Sequence, residues 1–339
     1  MAVKKRATKK KAAKKSATPR RSAKKKKQPR LKKFLLLALA CAFFLFLALG
    51  ATYYFASFET RAKLNQPIMR TLNTVRLPSW MPRPIAWVFD NLYDTLPSSE
   101  GLLVDGGELG RSDAPILAGM PQSRKAVRVL NNNSYINLYD EKGRQSLCLA
   151  LRLSDTLRQK VKSTEDYYED PRVAPLRASE MTFGQWSPHP IAPAKTLAGE
   201  YGATGASEAH LTTNLAPMTE AYAEGIWKDA MKRVAEQYPK RFGEIWIYMG
   251  PAYRKQSSKL SSGILIPDAF YLVAFDLTES GGLRAISFLI PTETTPDTSL
   301  ADCLTSIGTI EQMTGLQFLP ELSFDARDVL ETWVSPNLW

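Results

Sequence analysis

A run of 23 residues without a charge, Phe34 to Ala56, divides this chain into parts that obey different physical rules. At about 1.5 Å per residue a helix of that length crosses a hydrocarbon core of roughly 30 Å. Tyr53-Tyr54-Phe55 end the run with the aromatic side chains that favour a membrane interface. The 33 residues before it hold 17 Lys and Arg and no Asp or Glu, a composition that cannot bury a core. Residues 1–33 are therefore expected to form a disordered polybasic tail and residues 34–56 a transmembrane signal anchor. Lys and Arg stay on the cytoplasmic side. That makes the membrane itself a partner of a single-pass chain, with its N-terminus cytoplasmic and residues 57–339 extracytoplasmic. A cleaved signal peptide, with Leu49-Gly50-Ala51 as the small-residue site, is the competing reading. It is disfavoured because the apolar run exceeds the usual h-region of about 7 to 15 residues.

The net charge of +12 misleads until it is divided. Without the 17 tail cations, 28 Lys and Arg face 33 Asp and Glu, so everything beyond the anchor carries −5. Binding along a phosphate backbone rests on a basic footprint, which the domain as a whole does not supply. A local basic groove stays compatible with these totals, so nucleic acid is a weakly supported partner. The tail reads as a topogenic stop that also touches anionic lipid, since each juxtamembrane Lys or Arg contributes about 1 kcal/mol there.

Residues 57–124 read as a stalk that packs only in part. Pro78, Pro82, Pro84 and Pro97 interrupt it, and Ser98-Ser99-Glu100-Gly101 and Gly106-Gly107 mark loops. Trp80, Trp87, Val88 and Phe89 suggest a short amphipathic element resting on the bilayer or on the domain. Residues 125–335 are enough for one domain with its own core. Ser146 to Leu153 and Ile245 to Met249 are short apolar runs that suit buried strands. Phe270 to Leu277 and Leu283 to Ile290, joined by Thr278-Glu279-Ser280-Gly281-Gly282, form a hairpin pattern. Thr219 to Gln237 predicts a helix capped by Thr219, with Tyr222, Ile226, Ala230, Met231 and Val234 at helical spacing. The expected class is α+β, a mixed or antiparallel sheet flanked by helices.

Cys41 lies in the anchor, leaving Cys148 and Cys303 in a compartment that permits a disulfide. Two buried free thiols are the simpler expectation. The chain has no paired C-x-x-C, no His cluster and no Gly-rich phosphate loop, which disfavours zinc sites and nucleotide-binding folds.

The stretch from Trp186 to Met231 carries the most specific pattern. It holds Ser187-Pro188-His189-Pro190-Ile191-Ala192-Pro193, then Thr213-Asn214-Leu215-Ala216-Pro217-Met218, then Ala223-Glu224-Gly225-Ile226-Trp227. Its order and spacing resemble the DNA/RNA non-specific endonucleases, the ββα-metal nucleases with D-R-G-H-x-A-P, T-N-x-x-P-Q and N-x-G-x-W-x-x-x-E. Further matches run from Lys125 to Leu322 in family order. Arg128 to Tyr135 with Ser146 to Leu153 resembles the first hairpin, and Glu169-Asp170-Pro171-Arg172 the D-P-R turn. Tyr248-Met249-Gly250-Pro251 resembles the T-G-P strand end, Ile266 to Tyr271 the last strand entry, and Thr305 to Leu316 the closing helix.

The resemblance implies a ββα-metal nuclease-like domain, but its chemical positions are replaced. Pro190 stands where the family has its general-base His, with Ser187, Pro188 and His189 in place of the Asp, Arg and Gly. Ala223 stands at the metal-binding Asn, Met231 at the helix Glu, and Met218 at the Gln of T-N-x-x-P-Q. Proline carries no side-chain base, and an Ala methyl cannot serve Mg²⁺, which takes hard oxygen ligands. The expected function is thus a membrane-anchored nuclease-like domain that has lost metal-dependent phosphodiester hydrolysis and acts as a binding or scaffold module, with no cofactor.

The alternative is an active endonuclease with a rearranged site using His189 or His210, and Mg²⁺ belongs to that alternative alone. His189 lies one position from the family His, and a one-residue shift in a strand turns a side chain to the opposite face. A local bulge would be needed to return it. His210 precedes the Thr212-Thr213-Asn214 strand and is expected to be partly buried and hydrogen-bonded. Asn214 matches the family Asn and reads as structural, a metal ligand only if the site were rebuilt around it. Family resemblance points to a homodimer, and no motif names a protein partner.

Overall fold

Along Glu244–Ala252 every residue is buried, with Ile245, Ile247 and Met249 in one apolar cluster and Trp246 and Tyr248 in another. That arrangement requires a sheet covered on both faces. The computed structural model describes residues 53, 55, 102–107, 109, 114–155, 166–278, 280–295 and 298–339. The polybasic tail, the Trp80 to Phe89 element and all of the Phe34 to Ala56 run except Tyr53 and Phe55 lie outside them. Among the described residues no helix is long and apolar enough to cross a membrane. The chain separates into two compact units, Met1–Ala56 and Ser57–Trp339, and every element named below belongs to the second.

The strands are β1 (Val104–Asp105), β2 (Gln122–Ser123), β3 (Arg128–Asn131), β4 (Ile136–Asp140), β5 (Gln145–Ser154), β6 (Trp186–Pro190), β7 (Leu215–Thr219), β8 (Glu244–Ala252), β9 (Ala269–Leu277), β10 (Gly282–Pro291), β11 (Leu304–Thr305) and β12 (Leu316–Gln317). The helices are α1 (Ala194–Ala209), α2 (220–242), α3 (Ile307–Thr314) and α4 (Phe324–Thr332). The main sheet is antiparallel in the order β1-β10-β9-β8-β5-β4-β3, with β11 pairing β10. β6 with β7, and β2 with β12, form two small separate ribbons.

One face of the main sheet packs Leu149, Leu151, Ile247, Met249, Leu272 and Ile286 against Leu197 of α1 and against Trp227, Met231 and Val234 of α2. The other packs Tyr248, Tyr271, Val273 and Phe275 against Ile307 and Ile310 of α3 and Leu330 of α4. Both short helices start on a serine, Ser306 and Ser323, whose hydroxyl accepts from the first turn. Gly315, at φ 73°, ends α3 in the left-handed conformation glycine adopts at least cost. Cys148 and Cys303 are both free and buried, and they sit in different clusters.

The expected hairpin is present as β9 and β10, registered from Leu277 opposite Leu283 to Ala269 opposite Pro291. The Arg128 to Leu153 match is a three-stranded meander rather than a hairpin, because β4 intervenes between β3 and β5. In the T-G-P match, a Cβ on Gly250 would lie 2.4 Å from the Leu147 carbonyl oxygen, so only glycine permits the close approach of β8 to β5.

Packing also extends beyond 125–335 at both ends. The Trp246 indole donates to the Ala114 carbonyl at 3.0 Å, and the Leu117 amide donates to the Tyr248 hydroxyl at 2.8 Å. β1 adds an edge to the sheet, and Trp339 is fully buried, 5.5 Å from the Phe242 ring. These segments hold on through single side chains and short bridges, which leave no periodicity in a sequence.

Candidate functional site

β6 and β7 form a two-stranded ribbon leading into α2, the β-β-α order that the resemblance implies. Pro188, Pro190 and Pro217 are tolerated because both strands are edges, where a missing N–H costs no ladder bond to a third strand. Thr219 ends β7 and caps α2, its hydroxyl accepting from the Tyr222 amide at 3.2 Å. The helix runs past the expected Gln237 to Phe242 and is broken by π-helical turns at Ala223–Trp227 and Arg233–Gln237. Gly225 departs from helical geometry within the first of them.

Thr212–Asn214 is a 3-10 turn, not the expected strand, and β7 begins at Leu215. The Asn214 amide donates back to the Leu211 carbonyl at 2.8 Å, closing a turn that two β-branched threonines disguise in the sequence. The Asn214 side chain is fully buried and clamps the entry to α1. Its Oδ1 accepts from the Ala192 amide at 3.0 Å, while its Nδ2 donates to the Ala192 and Ala209 carbonyls at 2.9 and 2.8 Å.

The D-P-R turn braces the same corner. Thr213 Oγ1 donates to Asp170 Oδ2 at 2.8 Å, and Arg172 Nη2 meets that oxygen at 2.7 Å. Burial pushes the Asp170 carboxyl up, but the hydrogen bonds from Arg172 and Thr213 outweigh it and hold the group below its ordinary range. A carboxylate so depressed contributes stability that is present above the unfolded value of about 3.9 and lost as pH falls through its folded value. Asp170→Asn is expected to cost about 2 kcal/mol at pH 7 and to flatten this acid limb in melting curves taken from pH 7 downward.

A cavity of about 390 Å³ opens where β6, α1 and α2 meet. Pro190, Ala223 and Met231 all line it, so the three replaced chemical positions converge on one space. Trp227 and Pro193 complete an apolar floor. Lys195, Thr196, Glu224, Lys228, Asp229, Lys232 and Glu236 surround it. Much of this rim is self-paired, with Lys195 on Glu236 at 2.9 Å and Lys228 on Glu224 at 2.6 Å. A stripe at four-residue spacing, Glu224, Lys228, Lys232 and Glu236, is the sequence signal for that rim.

His189 also lines the cavity, contrary to the expectation that its one-residue offset turns it away. The cavity wraps the end of β6, so neighbouring residues of the strand both reach it. Its Nε2 lies 2.9 Å from Ser187 Oγ and 3.5 Å from Glu220 Oε2. Both contacts use one nitrogen, whereas a hydroxyl-imidazole-carboxylate relay needs one partner on each. Burial lowers the His189 pKa against the opposing pull of Glu220 and Glu224, so the ring is neutral at pH 7. His210 does not line the cavity. It is buried at the end of α1, its ring 5.6 Å from that of Tyr167, and its carbonyl accepts from the Tyr168 amide at 3.1 Å. Met218 is fully buried in the core.

The site does not suit the hard divalent cation that the ββα order implies. Carbon and a thioether sulfur occupy Pro190, Ala223 and Met231, where oxygen or nitrogen donors would be required. The described residues hold no group of three or more His, Cys, Asp or Glu placed to bind a metal ion.

An antiparallel sheet between helices, with a β-β-α element set on one face, defines a mixed α/β nuclease-like fold. The DNA/RNA non-specific endonuclease profile matches residues 114–325, and the chain belongs to that family. The fold is similar to a chain of the EndoG/EndoGI complex, solved to explain EndoG inhibition. The TM-score is 0.53 at 16% identity, covering 59% of this chain and 88% of that one. No curated protein matches the sequence.

Proposed function

We propose that this protein is a membrane-anchored member of the family that has lost metal-dependent phosphodiester hydrolysis and works as a binding or scaffold module outside the membrane. The observation that carries this reading is the convergence of Pro190, Ala223 and Met231 on one cavity. General-base loss alone typically costs about 10² to 10⁴ in rate. A metal that cannot be held supplies neither a polarised phosphoryl oxygen nor an activated water. Phe34 to Ala56 and the cationic tail support the anchor and its orientation.

Metal binding to the folded state raises the melting temperature through mass action. The full chain is therefore expected to melt at the same temperature with and without millimolar Mg²⁺ or Mn²⁺. The second reading, an active endonuclease with a rearranged site, draws on His189, which lines the cavity and contacts Ser187. It requires a metal-dependent rise in melting temperature together with nucleic-acid cleavage that vanishes in His189→Ala. His210 does not line the cavity, and the Asn214 amide is committed to Ala192 and Ala209. Neither therefore strengthens that second reading.

A further inference from the structure

Resting on the reading of this domain as a binding module, we infer that the cavity takes a compact, uncharged molecule with an apolar body and one hydrogen-bonding group. Its volume of about 390 Å³ lies within the roughly 300 to 1,000 Å³ of small-molecule sites, which are mostly apolar with a few placed polar groups. Pro190, Pro193, Ala223, Trp227 and Met231 offer carbon and a polarizable sulfur, suited to an aromatic or branched body.

The rim decides the charge of the ligand. Lys195, Lys228 and Lys232 are matched in number by Glu224, Asp229 and Glu236, and two of the lysines already hold carboxylates at 2.9 and 2.6 Å. Lys232 and Asp229 offset each other in number, so an anion or a cation entering this space would shed water with no net opposite charge to receive it. One polar group does await a ligand. Thr196 is 4% exposed and lines the cavity, and among the described residues no hydrogen bond forms to its hydroxyl. A ligand hydroxyl or carbonyl at that end would satisfy it while the body rests on Met231.

The test uses the full-length chain with ¹³C-methyl methionine, reading the Met231 methyl signal assigned through Met231→Leu. Benzyl alcohol is expected to shift that signal saturably. Benzylamine, benzoate and inorganic phosphate should bind at least about tenfold more weakly, because their charges lose hydration. Thr196→Val should weaken benzyl alcohol about fivefold, the worth of one neutral hydrogen bond, and leave toluene unchanged. Ala223→Leu should fill the space and abolish the shift, with unchanged signals from the other methionines showing that the fold persists. No saturable shift, a shift that survives Ala223→Leu, or tighter binding of benzoate or phosphate overturns the inference. Preferential binding of N-acetyl-phenylalaninamide would assign the cavity to a partner protein's side chain and overturns it as well. Cleavage of nucleic acid would instead remove the binding-module reading itself, whatever the probes do.

Discussion

Replacing Asn214 by Ala is expected to destabilise the domain by about 3 to 5 kcal/mol, read as a shift of the denaturant midpoint. The side chain makes three hydrogen bonds, to the Ala192 amide, the Ala192 carbonyl and the Ala209 carbonyl. It is fully buried, so water does not replace the amide in the native fold. Each buried polar group left unpaired costs about 1 to 3 kcal/mol, and the contributions do not simply add. Asn214→Asp tests the same account through pH. A carboxylate there would face two carbonyl oxygens, which raises its folded pKa. Its cost should therefore grow as pH rises above the ordinary carboxylate range, whereas the cost of Asn214→Ala should stay flat. Equal pH profiles for the two variants would contradict this assignment of the hydrogen bonds.

Trp227→Ala is expected to cost a similar 3 to 5 kcal/mol, about the usual figure for deleting a large buried aromatic side chain. The Trp227 ring is 2% exposed, lies 6.4 Å from Tyr222 in a stacked arrangement and 5.3 Å from Phe270, and supports the turn that carries Ala223. Among the described residues its indole N–H has no hydrogen-bond partner. Trp227→Phe therefore forfeits no hydrogen bond and should cost less than half as much as the alanine variant. A phenylalanine variant as unstable as the alanine one would mean that the indole nitrogen matters after all.

The parts of this fold legible in the sequence are those where burial imposes a regular pattern. β5, β8, β9 and β10 are covered on both faces, so they read as short continuous apolar runs. α2 was legible from Tyr222, Ile226, Ala230, Met231 and Val234 at helical spacing. The illegible parts depend on single contacts. Thr212–Asn214 looks like strand because of its threonines, but the Leu211 carbonyl accepting from Asn214 and the Thr212 carbonyl accepting from Leu215 make it a turn. Ala114 and Leu117 join the core through the Trp246 indole and the Tyr248 hydroxyl, partners more than a hundred residues away.

The candidate site divides in the same way. Motif spacing placed Pro190, Ala223 and Met231 together, and they share one cavity. Strand alternation misplaced His189, because alternation describes a flat strand and not a cavity that wraps its end. The charged rim leaves no trace in a count of net charge because its three lysines and three carboxylates cancel.

Incubating the full-length protein with supercoiled plasmid and with RNA, in Mg²⁺ and in Mn²⁺, tests the loss of hydrolysis most directly. The account predicts no cleavage above the level of a preparation carrying His189→Ala. Cleavage by the unsubstituted chain that disappears in His189→Ala would contradict it and establish the rearranged active site.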